Sequence, residues 1–137
     1  MARWSAIMLD DIGKLVLRVT VGGLLLLHGI NKLLNGIDAI ETALLAHGVP
    51  AFVAYGVFVG EIVAPVAVIV GLFARIGAGV MVINMLAAVS LMHLPDLTAI
   101  NQHGGYQLEL QAFYLFGSLA VVLLGAGRMS VGGGPLN

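Results

Sequence analysis

The sequence predicts an all-α membrane protein: a four-transmembrane-helix up-down bundle with both termini cytoplasmic and a short interfacial helix between spans one and two. Three observations carry this. Of 137 residues, 60% are hydrophobic and only 9% charged, where soluble domains carry roughly 25% charged residues. Mean hydropathy is +1.06. Apolar runs close to the ~20 residues that cross a bilayer core recur four times. The connections between them are short, which makes neighbouring spans antiparallel. The length suits one domain, residues 1–137, and no internal repeat is visible.

Residues 1–14 carry Arg3, Asp10, Asp11 and Lys14, with Trp4 placed as an interface anchor. The first span is expected over 15–34. Its centre resembles a signal-peptide core, but it is too long for one and no small-x-small site follows, so it is expected to be retained. In the connector 34–50, Ile37, Ile40, Leu44 and Leu45 recur at helical spacing among Asp38, Glu41 and His47. That pattern predicts a short helix in the interface, stopped by Gly48 and Pro50. The second span is expected over 52–73. Ala74-Arg75 is read as a tight turn, and the third span follows over 76–93, stopped by Pro95. Asp96 to Gln107 is a polar loop broken by Gly104-Gly105. The fourth span is expected over 108–126, and the glycine run 132–134 with Pro135 reads as a frayed tail.

Lys and Arg set the orientation. Arg3, Lys14, Arg75 and Arg128 fall on the side of the termini and the second loop, which places both termini in the cytoplasm. Asp38, Glu41, His47, Asp96 and His103 fall on the other side. There is no basic cluster, so nucleic acid is excluded as a partner. There is no cysteine, which excludes disulfides, dithiol redox chemistry and thiolate ligands on this chain.

The functional signal is polarity inside the spans. Glu61 sits in the middle of the second span, where a carboxylate costs roughly 2.5–3.5 kcal/mol and is rarely left without a partner. Pro65, four residues later, has no N–H, so the Glu61 carbonyl loses its helical donor and a kink is expected. At 100° per residue, Arg18, His28 and Lys32 share one side of the first span. Asn84 and His93 lie nine residues apart on the third, on opposite faces of an ideal helix. The fourth opens with Glu109 and Gln111. Depth arithmetic gathers His28, Lys32, Glu61, His93 and Glu109 in the outer half of the membrane, with Arg18 deeper. The functional reading is an outward polar pocket for a quinone head, a small anion or protons passing between His and Glu. The structural reading stands beside it: Lys32 snorkels, Glu109 caps its helix and Arg18 reaches the interface. No His-x-x-x-His or Glu-x-x-His spacing supports a metal site. Gly56, Gly60 and Ala64 form a close-packing stripe beside Glu61. Met81, Met85 and Met92 share a face with Asn84, as packing or as a soft lining.

Three segments then fall together. They are Leu26-Leu27-His28-Gly29-Ile30-Asn31-Lys32-Leu33, the stretch from Glu61-Ile62-Val63-Ala64-Pro65 to Arg75, and the stretch from Glu109-Leu110-Gln111-Ala112 to Gly125-Ala126-Gly127-Arg128. In order and spacing the chain resembles the DoxX family of small bacterial and archaeal inner-membrane proteins. The resemblance implies four transmembrane helices and an inner-membrane location. It also implies a candidate oxidoreductase role, since a relative forms the membrane subunit of thiosulfate:quinone oxidoreductase. The family motif falls on His28, Lys32, Glu61, Pro65 and the Arg75 turn. Relatives often carry a Gly-His-His-like stretch at the end of span three. Here only Leu91-Met92-His93 stands there.

These readings converge on an oxidoreductase subunit that handles quinone or another small redox substrate. Glu61, His28 and Lys32 are its candidate catalytic residues. Arg18, Asn84, His93, Glu109 and Gln111 are its candidate substrate-binding residues. Quinone is the one cofactor considered, no metal is assigned, and the partners are the lipid bilayer with a redox subunit or a second copy. A small proton-coupled transporter and an assembly scaffold are the alternatives.

Overall fold

The computed structural model describes the backbone of residues 2–137 and the side chains of residues 6–137. The Arg3 and Trp4 side chains lie outside the described residues. Helix accounts for 75% of the chain, with no strand among the described residues. Three helices are long and apolar enough to cross a membrane, and a fourth apolar helix is shorter.

The first span is one unbroken helix, Ala2–Asn35, of 34 residues, or about 51 Å. It begins well before the expected 15–34. Three charged residues early in this helix, Asp10, Asp11 and Lys14, find partners. Lys14 donates to Asp10 at 2.6 Å one turn away, and the Asp11 carboxylate accepts from the Arg128 N–H at 2.9 Å. Gly36, at φ 92°, ends the helix.

The linker helix is Asp38–Ala46. Ile37 and Leu44 are buried against Ala54, with Ile40 and Leu91 packed beside them. Leu45, expected in the same stripe, is exposed.

The second span, Ala51–Val70, changes pitch along its length. A 3₁₀ turn, Ala51–Tyr55, leads through the helical turn Gly56–Phe58 to a π turn, Val59–Val63, and then to the α-helix Ala64–Val70. Pro65 explains the π turn. Its ring presses on the carbonyl four residues back, that of Glu61. Widening the turn relieves this, and the Ala64 N–H donates five residues back to Val59. The kink expected at Glu61 is thus a π turn with Glu61 at its centre.

The expected turn at Ala74-Arg75 is corrected by three residues. Gly71 (φ 74°) and Phe73 (φ 50°) reverse the chain, and Ala74–Met92 is already the third span. Gly71 takes the left-handed conformation without a Cβ penalty, so the helix stops there. Leu94–Thr98 forms a 3₁₀ turn at Pro95. The fourth span is Glu109–Leu124, 16 residues, about 24 Å. It is shorter than expected because Gly125 (φ 78°) ends it.

The tail is not frayed. Val131 and Gly132 donate backbone N–H groups to the Val70 and Gly71 carbonyls at 3.2 and 2.8 Å. Those are orphan carbonyls at a helix end, which need partners from outside the helix. Asn137 closes the hairpin through Ser130 Oγ at 2.9 Å and the Gly132 carbonyl at 2.8 Å.

The four long helices pack in a ring, each against the next in sequence and the fourth against the first. Their common core holds Val21, Leu25, Ala64, Val68, Ala78, Met81, Met85, Tyr114 and Val121. Met81 is therefore a packing residue; Met85 packs in the core and also lines the cavity described below, as does the exposed Met92.

Candidate functional site

Glycines place Glu61. Lys32 and Gly29 lie one turn apart on the first span. A Cβ on Gly29 would overlap the Glu61 carbonyl and stand 2.7 Å from Ile62 Cγ1, so only glycine lets the second span approach this closely. On the other side, a Cβ on Gly60 would stand 2.5 Å from Asn84 Cγ. Glu61 is held between a cation and an amide. Lys32 Nζ donates to Oε2 at 2.5 Å, and Asn84 Nδ2 donates to Oε1 at 3.2 Å. Glu61 is only 3% exposed. The pair as a whole is neutral.

This triad forms one end of a cavity of about 620 Å³. Its walls come from the linker helix and all four spans, and they are mostly apolar. On the third span the lining runs from Val80 to His93, a depth of about 20 Å. His28, Gln111 and Tyr114 add polar groups beside the triad. The His28 ring meets Tyr114 edge-on, centroids 5.6 Å apart at 82°. His93 lines the cavity as well and faces Asp96, Nδ1 to Oδ2 3.2 Å. Beyond Leu25 the bundle is closed by Val21, Val68, Met81 and Val121, which are fully buried.

Six of the eight candidate site residues, His28, Lys32, Glu61, Asn84, His93 and Gln111, thus share one cavity. Asn84 and His93 both reach it despite their nine-residue separation. His93 is no longer helical (φ −128°, ψ 14°), so ideal-helix angles do not apply to it. Arg18 and Glu109 lie outside the lining. Arg18 is 2% exposed and sits at the opposite end of the bundle. Its guanidinium donates to the carbonyls of Val68, at 3.1 Å, and of Ile69 and Met129. It ties the end of the second span to the tail. Glu109 is the exposed first residue of the fourth span, beside Gly105. Among the described residues, no three His, Asp or Glu side chains come together as a metal site.

Tyr114 was not singled out in the sequence. It is 4% exposed and follows Gln111 by three residues, so the two share a helix face. That spacing was the available signal. In an apolar span, however, a tyrosine reads first as packing.

Three to four apolar helices around buried, partnered polar groups define a multi-pass membrane protein. The chain belongs to the DoxX family, whose model, described as DoxX, matches residues 13–94. The match takes in most of the first span and all of the second and third and, with them, His28, Lys32, Glu61, Asn84 and His93. Searches of curated proteins and of solved structures give no match.

Proposed function

We propose that this DoxX-family protein is a membrane-embedded oxidoreductase subunit that binds quinone in the cavity between its spans. The observation that carries this reading is the composition of the cavity. It is a mostly apolar space of about 620 Å³ with hydrogen-bonding groups gathered beside Glu61. An apolar slot with a few convergent polar groups is the usual form of a small-molecule site. The donor set suits a quinone. His28, Gln111 and Tyr114 offer donors for its carbonyl oxygens, and the walls suit its ring and tail.

A bound quinone supplies reversible two-electron, two-proton chemistry. The chain's own residues orient the head and manage protons. Lys32 and Asn84 hold the Glu61 carboxylate in one place, and Glu61 with His28 forms the proton-handling pair. The chain has no cysteine to serve as a thiol electron carrier, so the electrons are assigned to a partner subunit. The basic residues Lys14, Arg75 and Arg128 lie at or near the end held by Arg18 and the tail, which favours a cytoplasmic placement of that end. The cavity then faces the other side of a bacterial or archaeal inner membrane.

A transporter would need a path past Val21, Val68, Met81 and Val121. None of these four lines the cavity and all are fully buried, which favours a binding site over a conduit. The test is extraction of gently purified protein followed by quinone quantification, wild type against Glu61→Gln. The expected result is quinone bound to the wild type and at least tenfold less on the variant. Absence from both would refute the reading.

A further inference from the structure

We propose that the cavity has a lateral entrance in the bilayer, between the second and third spans. Its ligand would then be a neutral, membrane-soluble molecule with a small hydrogen-bonding head and a long apolar tail. The inference rests on the binding reading above and adds the route and the ligand class.

From Ala64 to Val70 the second span lies close on the third. Gly77 leaves room for the Ala64 carbonyl, which would stand 3.0 Å from a Cβ there. Gly60 against Asn84 is the last such approach. Before the π turn the start of the second span packs mainly on the linker helix, and Leu91, near the outer end of the third span, joins that cluster. The wider π turn thus has a second consequence: it redirects the helix and opens a gap above Glu61.

The residues that border this gap both line the cavity and lie exposed. On the second span they are Val53, Gly56 and Val59, and on the third Ile83 and Ala87. Val59 is 51% and Ile83 67% exposed. None of the five carries a polar side chain. At this depth their exposure is to lipid. On the water side the linker helix lies over the cavity, with the buried Ile37 and Leu44 among its lining beside the exposed Gly36 and Ala39. A charged or strongly hydrated solute meets an apolar cover, whereas a lipid-soluble one meets an open side.

Charge points the same way. The two formal charges in the lining, apart from histidine, are Lys32 and Glu61, and they neutralise each other. A neutral head leaves this balance intact. An anion would have to compete with Glu61 for Lys32.

The test blocks the gap without touching the polar end. Nothing lies within 4 Å of a Cβ built on Gly56, and Ile83 is exposed, so Gly56→Phe with Ile83→Trp is compatible with the fold. Val59→Trp is the second variant, should the first fail to assemble. Whole protein in lipid nanodiscs is exposed to a photoreactive long-chain alcohol, and labelled peptides are mapped. The expected result is labelling of cavity residues on the first and fourth spans, such as Leu25 and Tyr114, reduced at least fivefold in the blocked variants. Label confined to the outer surface, or cavity label unchanged by blocking, overturns the entrance. Retained quinone is measured on the same samples. Blockable cavity label without any quinone removes the quinone reading and keeps the entrance. Retained quinone with cavity label that the block does not change removes the entrance and keeps the quinone.

Discussion

Replacing Lys32 with methionine tests whether the ion pair at the centre of the site acts as the structure implies. The substitution keeps most of the volume and removes the charge that faces Glu61 at 2.5 Å. Removing one partner of a buried pair costs about 3–5 kcal/mol, because the other charge is left behind in a low dielectric. Here the Glu61 side chain is 4% exposed but that of Lys32 is 27% exposed. Solvent at the lysine end softens the loss, and Asn84 still donates to Oε1. The lower end, about 3 kcal/mol, is the expected cost. Glu61→Gln alone strands the lysine, which is longer and less enclosed, so about 1–2 kcal/mol is expected on the scale of an unsatisfied polar group. The double variant leaves neither charge and should cost clearly less than the sum, with a coupling of about 2 kcal/mol. The assay is reversible unfolding in mixed micelles, followed by circular dichroism, on the wild type and all three variants. Strict additivity, with each single change below about 0.5 kcal/mol, would refute the pair as a structural unit.

Four further outcomes follow from the same structure. Gly29→Ala should lower the thermal midpoint by the equivalent of about 1–3 kcal/mol, the usual cost of overpacking, because its Cβ would meet the Glu61 carbonyl. Gly23→Ala, with nothing within 4 Å, should be neutral or gain up to ~1 kcal/mol from helix propensity. Arg18→Met should release the tail from the second span, seen as faster amide exchange across residues 129–132, since its hydrogen bonds to Ile69 and Met129 are lost. Because the chain has no native cysteine, His103→Cys and Gly133→Cys can be labelled singly with a membrane-impermeant maleimide. The two should react from opposite sides of oriented vesicles.

The spans were legible because an apolar run of bilayer length seldom serves any end but crossing a membrane. The polar cluster was legible for a related reason, since charge inside such a run needs a partner. Glu61 and Lys32 were both visible, but not as a pair. The choice between Lys32 and Arg18 was made by Gly29, whose missing side chain brings the Glu61 backbone against the first span one turn from Lys32. A glycine in a membrane helix is compatible with many packings, so its meaning emerges only once its neighbour is known. The π turn was half legible. Pro65 announced a freed carbonyl, yet whether a helix answers with a kink or a wider turn depends on what packs against it. The tail was misread because glycine-rich composition suggests fraying, while the orphan carbonyls at Val70 and Gly71 that hold it are invisible in sequence.

Two cations of one helix thus have opposite fates at the two ends of the bundle. Arg18 is committed to backbone carbonyls, far from Glu61, and joins the second span to the tail. Lys32 is committed to Glu61 and leaves the cavity neutral. Had Arg18 reached the same cavity, the site would carry a net positive charge and favour anions. With the arginine engaged elsewhere, the free hydrogen-bonding groups are His28, Gln111 and Tyr114, none of which needs a charged partner. A site of that kind discriminates by hydrogen bonding and by apolar fit rather than by charge. Tyr114→Phe is then the sharpest probe of it. Loss of the hydroxyl should weaken quinone retention by about 3- to 10-fold, the worth of one neutral hydrogen bond. It should leave the Lys32–Glu61 coupling unchanged, and a change in that coupling would mean that the tyrosine serves the ion pair instead of the ligand.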